Sequence, residues 1–586
     1  MEVKHGLGYQ NYEDMMRNHI FYIDKTDFIS EWWNYADKVT LITRPRRFGK
    51  TLNMSTIECF FSKRYEGRSD LFEGRKIWED ETLRALQGTY PVIFMSFAGV
   101  KSGYVGGDSA EIKLKNIEAV KTAVKQIISD TYAKYRNIMK SEKFDDNDRA
   151  FFASVNDNMT DKMAQMAIWR LCSYLEIYYE KKVIVLLDEY DTPMQESWLG
   201  RYWEEAVTFF RGFFVKTFKD NESMERGLIT GITRVSNGSR SETLESIFSE
   251  LNHLKVVTTT SDKYGTCFGF TEEEVFKALD DAGLGDHKSG VKKWYDGFTF
   301  GKYTDIYNPW SIISFIENGA KYEAYWANTS SNDLVSTLIQ TGDADAKKTV
   351  EDLLAGKSFI APIDEQIVFN QLYGNTNAIW SLLLAAGYLK MIDREPLRAD
   401  RTGDAEYTLT LTNREVWFMF RKMVKDWFGK YDVPAYYNEF INALLHDNIR
   451  KMNTFMNKVA LHTFSYFDTG NKPSDETHPE RFYHGFVLGM IVNLSDKYKV
   501  TSNRESGYGR YDVMIEPFDK NEKAFIFEFK VLDADDDERT LEDTVANALA
   551  QIEEKQYEAA LIAGGFAPEN IRKYGFGFQG QKCLIG

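Results

Sequence analysis

Residues 42–51 read ITRPRRFGKT and place a Gly, a Lys and a Thr at a spacing that can grip a phosphate. Backbone N–H groups at a helix start can wrap the oxygens. Lys50 can neutralise β- and γ-phosphate charge, and Thr51 can ligate Mg²⁺. The usual pattern, G-x-x-x-x-G-K-[ST], puts its first Gly at position 44, and here that residue is Arg. An ordinary basic βα turn would read the same way, so a second signal is needed. VIVLLDEYD (183–191) supplies one, an apolar run for a buried strand with Asp188 and Glu189 at its C-terminal end. Ligands gather at that edge in open parallel sheets. Asp188 would hold Mg²⁺, directly or through water, and Glu189 would polarise the attacking water. A strand merely capped by solvated acids is the competing reading, and two matching strands in the expected order weigh against it. A third strand, GLITGITRVS (227–236), ends in Thr233 and Arg234. Arg234 suits a γ-phosphate sensor or finger, and equally an ion pair with a carboxylate.

A second constellation lies near the C-terminus. Asp512 sits in RYDVMIEPF, and sixteen residues later Glu528 and Lys530 sit in FIFEFKV. Strand alternation puts Glu528 and Lys530 on one face, and hairpin pairing can bring Asp512 beside them. Two carboxylates and an amine arranged in this way can bind one or two Mg²⁺ and activate water for attack on a phosphodiester. A Lys in a core strand is costly unless it serves something. E-x-K alone would read as an ion pair. The assembled D-x₁₅-E-x-K, with Gln551 on the following helix and Lys555 one turn below it, favours the metal site.

The elements that must position these residues follow from periodicity. KVTLITR (38–44), TYPVIFMSFAG (89–99), VIVLLDEYD and GLITGITRVS are apolar runs separated by helical stretches, which predicts a parallel α/β sheet. From about 270 the pattern changes to helices and short motifs, and FTEEEV carries a capping-box signature. Residues 340–465 read as helical, broken by a hairpin at 389–412. NKPSDETHPE (471–480) reads as a linker. Beyond it a helix, two strands, an acidic turn, a long helix and a short strand region predict a small independent α/β domain. The expected boundaries are 1–265 and 266–345, which the family resemblance given below makes an ATPase core and a helical lid, then 346–470 for a helical connector and 471–586 for the last domain.

Composition bounds the rest. A chain of 586 residues exceeds one ordinary core, and 43% apolar and 27% charged residues with 11 Pro describe a globular protein. The N-terminus lacks a secretory apolar run, and no stretch of 18 apolar residues offers a membrane span. The four Cys form no C-x-x-C pair, which argues against a zinc site and for a reducing cytoplasm. A net charge of −16 neither suggests nor excludes nucleic acid, because contact needs only a local basic surface.

FYIDKTDFI, ITRPRRFGKT, VIVLLDEYD, GITRVS, FGFTEEEV, WYDGFTFG and YNPWS resemble, in order, the bacterial proteins with an AAA-ATPase-like domain, over roughly residues 5 to 330. In that family R-P-R-R-F-G-K-[ST] is itself the usual phosphate loop. The resemblance implies an AAA/STAND-like P-loop core with a helical lid. It also implies an ATP site built from Arg46, Arg47, Phe48, Gly49, Lys50, Thr51 and Leu52 with Asp188, Glu189 and Arg234. Asp24 and Lys25 match a further motif and read either as nucleotide contacts or as an N-terminal cap on the fold. WYDGFTFG and YNPWS read as packing motifs. ERFYHGFVLG, SNRESGYGRYD, FEFKV, AQIEEKQY and GFGFQGQKCLIG resemble the PD-(D/E)XK nuclease superfamily over about 475 to 586. That resemblance implies Asp512 and Glu528 as metal ligands, Lys530 orienting water and Gln551 helping to position the site. Glu480 and His484, four apart on one helix face, match the family's E-x-x-x-H and would complete the metal shell, or else serve as a cap and a satisfied His. Some nuclease relatives have a Tyr four residues after the Gln; here position 555 is Lys, and Tyr557 is expected to fall off that face.

The resulting expectation is a cytoplasmic protein that binds ATP and Mg²⁺, with Mn²⁺ able to serve the nuclease site. It would cleave DNA (RNA being a second candidate) under ATP control, without a membrane, and a homo-oligomer is compatible. The alternative is a nucleotide-switched nucleic-acid- or protein-binding regulator whose nuclease-like domain does no chemistry. Arg44 leaves one local question open. Either the loop's first turn avoids the backbone shape only Gly allows, or Arg44 bears strain there.

Overall fold

The computed structural model describes residues 4–100, 109–219, 221–236, 247–248, 250–326, 333–341, 344–364, 367–368, 376–394, 405–429, 433–467, 489–490, 494, 496–506, 509–532, 538–579 and 582–586. The chain forms two compact units, Met1–Ser330 with Ile360–Val416, and Ser331–Phe359 with Trp417–Gly586. The stretch 346–470, expected as one helical connector, is therefore divided between them.

The first unit is built on a five-stranded sheet. Its strands are β1 (Val39–Thr43), β2 (Val92–Ser96), β3 (Val183–Asp188), β4 (Met224–Gly231) and β5 (Leu254–Val257). They lie in the order β2-β3-β4-β1-β5, and every pairing is parallel. VTLIT and VIVLLD are buried at every position, as expected of strands covered on both faces. β1 runs through the RPRRFG loop into helix α1 (Lys50–Phe61), and Asn53–Phe61 are all buried. β3 sits beside β4, so the acids ending β3 emerge next to the threonines ending β4 and one strand away from the loop after β1.

The region expected as a helical lid also contains an antiparallel sheet, with Tyr303–Tyr307 between Phe270–Thr271 and Phe298–Phe300. WYDGFTFG and YNPWS supply its hairpin and the helix that follows, and their Tyr295 and Tyr307 join a core with Phe270, Val275, Leu279 and Phe315, with Trp294 packed against it. The capping box of FTEEEV is present, with the Thr271 and Glu274 side chains each bonding the other's backbone N–H. The hairpin expected at 389–412 is formed by Leu389–Arg394 paired with Glu406–Leu411.

The second unit carries helices Val433–Leu445 and Ile449–Phe467 and a mixed sheet of β6 (Tyr498–Ser506), β7 (Gly509–Pro517), β8 (Ala524–Val531), β9 (Ile571–Gln579) and β10 (Lys582–Ile585). The β8–β9 pair is parallel and the others are antiparallel. Helix α2 (Leu541–Glu554) makes the β8-to-β9 crossover. It lies close on β9 because Gly575 and Gly577 have no side chain. A Cβ on Gly575 would stand 2.8 Å from the Val545 carbonyl oxygen, and one on Gly577 would stand 3.1 Å from that of Leu541. Gly575 and Gly577 are thus a packing requirement of this crossover. β7 and β8 are the two strands expected here; β6 is an addition, because its YKVTSNRES alternates apolar and polar only over Tyr498 to Val500 and is polar beyond. The linker 471–480 lies outside the described residues.

Candidate nucleotide and metal sites

The phosphate loop takes its left-handed turns at Arg47 (φ 67°) and Gly49 (φ 80°), not at position 44. Gly49 is the N-cap of α1, so the helix's free N–H groups face the loop. Arg44 bears no such strain, and its side chain is withdrawn from the loop. Its guanidinium is fully buried and donates to the carbonyls of Thr43 (2.9 Å), Thr258 (2.7 Å) and Lys263 (3.2 Å). It also lies 4.5 Å over the Phe300 ring. The Arg that replaces glycine therefore fastens the loop's first residue to the chain after β5.

Lys50 Nζ is buried and donates to the carbonyls of Arg44 (3.0 Å) and Pro45 (2.9 Å). Burial lowers its pKa, opposed by the charges of Glu189, Asp188 and Asp191. Thr51 Oγ1 donates to Asp188 Oδ2 at 2.6 Å, and Thr230 Oγ1 donates to Asp188 Oδ1 at 2.5 Å. Asp188 is fully buried, and burial raises its carboxyl above the usual range. A hydroxyl and a carboxylate in contact at a helix N-terminus form a hard oxygen set that fits Mg²⁺. Glu189 follows at the strand exit, half-buried, with φ 51°. Arg234, half-buried, has no hydrogen bond or ion pair among the described residues, so the carboxylate pairing considered for it is not formed there.

The flanking loop residues are held by Asn308, Trp310 and Trp326. The Arg46 carbonyl accepts from Asn308 Nδ2 (3.2 Å) and Trp326 Nε1 (3.0 Å), while its side chain is exposed. The Arg47 guanidinium stands 4.3 Å over Trp310. Phe48 is buried against Phe298 and Phe300 (ring centroids 4.8 and 5.4 Å), so only its backbone is available to a phosphate. The half-buried Leu52 lies in the first turn of α1, where its carbonyl accepts from Thr56 Oγ1 at 2.9 Å. Asp24 and Lys25 are spent within the fold. Asp24 accepts from the N–H groups of Thr26 (2.9 Å) and Lys76 (2.8 Å), and Lys25 pairs with Glu274 at 2.6 Å.

In the second unit the register Val513↔Phe527 makes Asp512 and Glu528 the next residues along adjacent strands. Asp512 Oδ2 accepts from the Phe529 N–H at 2.7 Å. Glu528 is 4% exposed. Its Oε1 accepts from Gln551 Nε2, while its buried Oε2 has no hydrogen-bond partner among the described residues. Burial, and then the Asp512 charge, push the Glu528 carboxyl well above the usual range, against the pull of Lys530 and Gln551. An orphaned buried carboxylate oxygen beside a second carboxylate fits a divalent cation held by Asp512 and Glu528. Lys530 is half-buried two residues on, on the Glu528 face. Glu480 and His484 lie outside the described residues.

One residue of this site was misplaced by sequence reasoning. Tyr557, expected off the Gln551 face, has its OH 3.1 Å from Gln551 Nε2, which donates to it. Helix α2 stops at Glu554, and Gln556 takes φ 52°. The Tyr557 N–H then bonds back to the Ile552 carbonyl at 3.3 Å, a left-handed helix closure. Helical spacing could not anticipate this, because the closure uses Gln where Gly would be the usual signal.

The fold and the loop-strand geometry define the class, a P-loop NTPase sheet followed by a restriction-endonuclease-like sheet. Residues 6–239 match the family described as predicted AAA-ATPase, and residues 478–586 match the PD-(D/E)XK nuclease superfamily. The chain thus carries an AAA-ATPase-like domain and a PD-(D/E)XK nuclease-superfamily domain. It is similar along most of its length to a curated protein of Azotobacter chroococcum mcd 1, described as an uncharacterized protein in the vnfD 5' region. The two are 21% identical over 556 residues, covering 93% of this chain and 91% of the relative. No helix among the described residues is long and apolar enough to cross a membrane.

Proposed function

We propose that the chain binds and hydrolyses ATP in its first domain and, under control of that nucleotide, cleaves DNA phosphodiesters in its last. The observation that carries the nuclease reading is Glu528 Oε2, buried beside Asp512 and without a hydrogen-bond partner among the described residues. A decayed site would be expected to satisfy or lose such a carboxylate, since an unpaired buried acceptor costs about 1–3 kcal/mol.

In this reading Lys50 and the α1 N-terminus bind the β- and γ-phosphates, and Thr51 with Asp188 would hold Mg²⁺. Glu189 orients water and Arg234 meets the γ-phosphate. Asp512 and Glu528 would hold the nuclease metal, Mg²⁺ or Mn²⁺, and Gln551 fixes the Glu528 carboxylate through Oε1. Lys530 orients water or offsets charge on the phosphodiester. Bound metal supplies Lewis-acid charge and lowers the pKa of a coordinated water. The four cysteines are unpaired and buried, which suits the reducing cytoplasm we assign.

The test is a nuclease assay on DNA and RNA with Mg²⁺ or Mn²⁺, with and without ATP, for wild type and Asp512→Ala. Metal-dependent DNA cleavage lost in Asp512→Ala is the expected result. Absence of cleavage under every condition would instead leave a nucleotide-switched binding protein.

A further inference from the structure

β3 delivers Asp188 and Glu189 to the nucleotide site, but the next two residues turn away from it. The left-handed φ of Glu189 swings the chain onto the end of β4, where the Tyr190 N–H bonds the Thr230 carbonyl at 3.1 Å. Tyr190 and Asp191 then grip the two residues that precede Arg234. Asp191 Oδ2 accepts from the N–H groups of Ile232 and Thr233, both at 2.9 Å, and from Thr233 Oγ1 at 3.0 Å. Gln195 Nε2 donates to the same oxygen at 3.0 Å. From the other side Tyr190 OH donates to the Thr233 carbonyl at 2.7 Å. Tyr190, Asp191 and Thr233 are all buried.

Gly231 makes this approach feasible, because a Cβ there would meet Asp191 Oδ1 and Tyr190 Cε1, each at 2.7 Å. The same strand end is tied to the rest of the site. The Gly231 carbonyl accepts from the Arg44 N–H at 3.1 Å, and Thr230 bonds Asp188. Past the clamp stands Arg234, with no hydrogen bond or ion pair among the described residues.

From this we infer that Tyr190 and Asp191 are positioning residues that aim Arg234 at the γ-phosphate and so make the site distinguish ATP from ADP. The inference rests on the reading of this loop as an ATP site. A guanidinium on a long stem loses rotamer freedom when it engages, so its benefit depends on a backbone already fixed where the phosphate will be. The two nucleotides differ only in the γ-phosphoryl group. Only groups that reach it can separate their affinities.

The experiment compares equilibrium binding of ATP and ADP, with Mg²⁺, to the full-length chain. The variants are Arg234→Ala, Tyr190→Phe, Thr233→Val, and each clamp substitution combined with Arg234→Ala. Arg234→Ala should lower the ATP-over-ADP preference by about 10-fold. Tyr190→Phe and Thr233→Val should each lower it by about 3-fold or more, with ADP affinity kept within about 2-fold. In the Arg234→Ala background the same substitutions should have no further effect on the ratio, because they act through that side chain. A purely structural role would instead lower both affinities together and add to Arg234→Ala.

Tyr190→Phe and Thr233→Val that keep the wild-type ratio, while Arg234→Ala loses it, would overturn the clamp. Arg234→Ala with an unchanged ratio would overturn it as well. Lys50→Ala that still binds ATP as wild type does would mark a failure of the ATP-site reading itself. Thermal midpoints of all variants, with Asp191→Asn as a further isosteric change, separate unfolded from refocused proteins.

Discussion

Position 44 departs from the generic phosphate-loop pattern, and its side chain explains how the loop tolerates the change. Arg44 carries three carbonyl bonds and a ring contact at a site where no left-handed turn is required. Arg44→Gly would restore the pattern on paper, yet it should destabilise the first unit. Each buried carbonyl left unpaired costs about 1–3 kcal/mol, and the lost packing adds to that, so a lowered thermal midpoint is expected. A midpoint equal to wild type would mean those bonds contribute nothing. In the second unit, Gln551 stands between Glu528 and Tyr557. Tyr557→Phe removes the acceptor that fixes one amide hydrogen. The expected outcome is a several-fold rise in the Mg²⁺ concentration giving half-maximal cleavage, with little change in rate at saturating metal. An unchanged metal requirement would make Tyr557 a packing residue only. At this scale the sequence named Lys50, Thr51, Asp188, Asp512 and Glu528 by residue type and spacing. It misplaced Tyr557, because spacing along a helix says nothing about where the helix closes.

Elements bring these residues together by close approach. Gly575 lets α2 lie on β9, so Gly575→Val should force the helix off the sheet. The clash is with backbone at 2.8 Å, which no side-chain rotation can relieve. A loss of about 1–3 kcal/mol in denaturant unfolding of the second unit is expected, and cleavage should fall with it as Gln551 shifts. The lid hairpin makes a different prediction. Asp296, in the turn of WYDGFTFG, has its carboxyl raised to about 6, first by burial and then by Asp305. A carboxyl raised in the folded state contributes stability below its unfolded value, near 4, and that stability is lost as pH rises through about 6. Asp296→Asn should therefore flatten the pH dependence of the first unit's thermal midpoint between pH 4 and 6, and a slope identical to wild type would contradict this. Four of the five parallel strands were legible because strands covered on both faces must be apolar throughout, whereas β5, whose LKVV is buried only at Val257, was not. The short antiparallel strands after residue 266 and β6 were not, since runs as brief as Phe270–Thr271 carry no period and YKVTSNRES has only Tyr498 and Val500 as buried apolar positions before it turns polar.

For the molecule as a whole, the presence of both sites on one chain predicts that the nucleotide controls cleavage. Lys50→Ala should change the cleavage rate at saturating ATP, whereas Asp512→Ala should abolish cleavage and leave ATP binding intact. Cleavage by Lys50→Ala that matches wild type at every ATP concentration would remove the coupling and leave two independent activities. Glu189→Gln, which should bind ATP and fail to hydrolyse it, tells whether binding or turnover carries the control. The sequence by itself determined the order of the candidate groups: loop, an acidic strand end, a strand ending in Thr233 and Arg234, then D-x₁₅-E-x-K and Gln551. Those groups are fixed by charge and strand period, which are local properties. The tertiary structure decided what local properties cannot. It placed Arg44 in the core, joined Thr51 to Asp188 across 137 positions and turned Tyr190 and Asp191 onto the segment before Arg234. It also left one oxygen of Glu528 buried and, among the described residues, without a hydrogen-bond partner. Each depends on which backbone comes within hydrogen-bond reach of a side chain once the sheets are assembled.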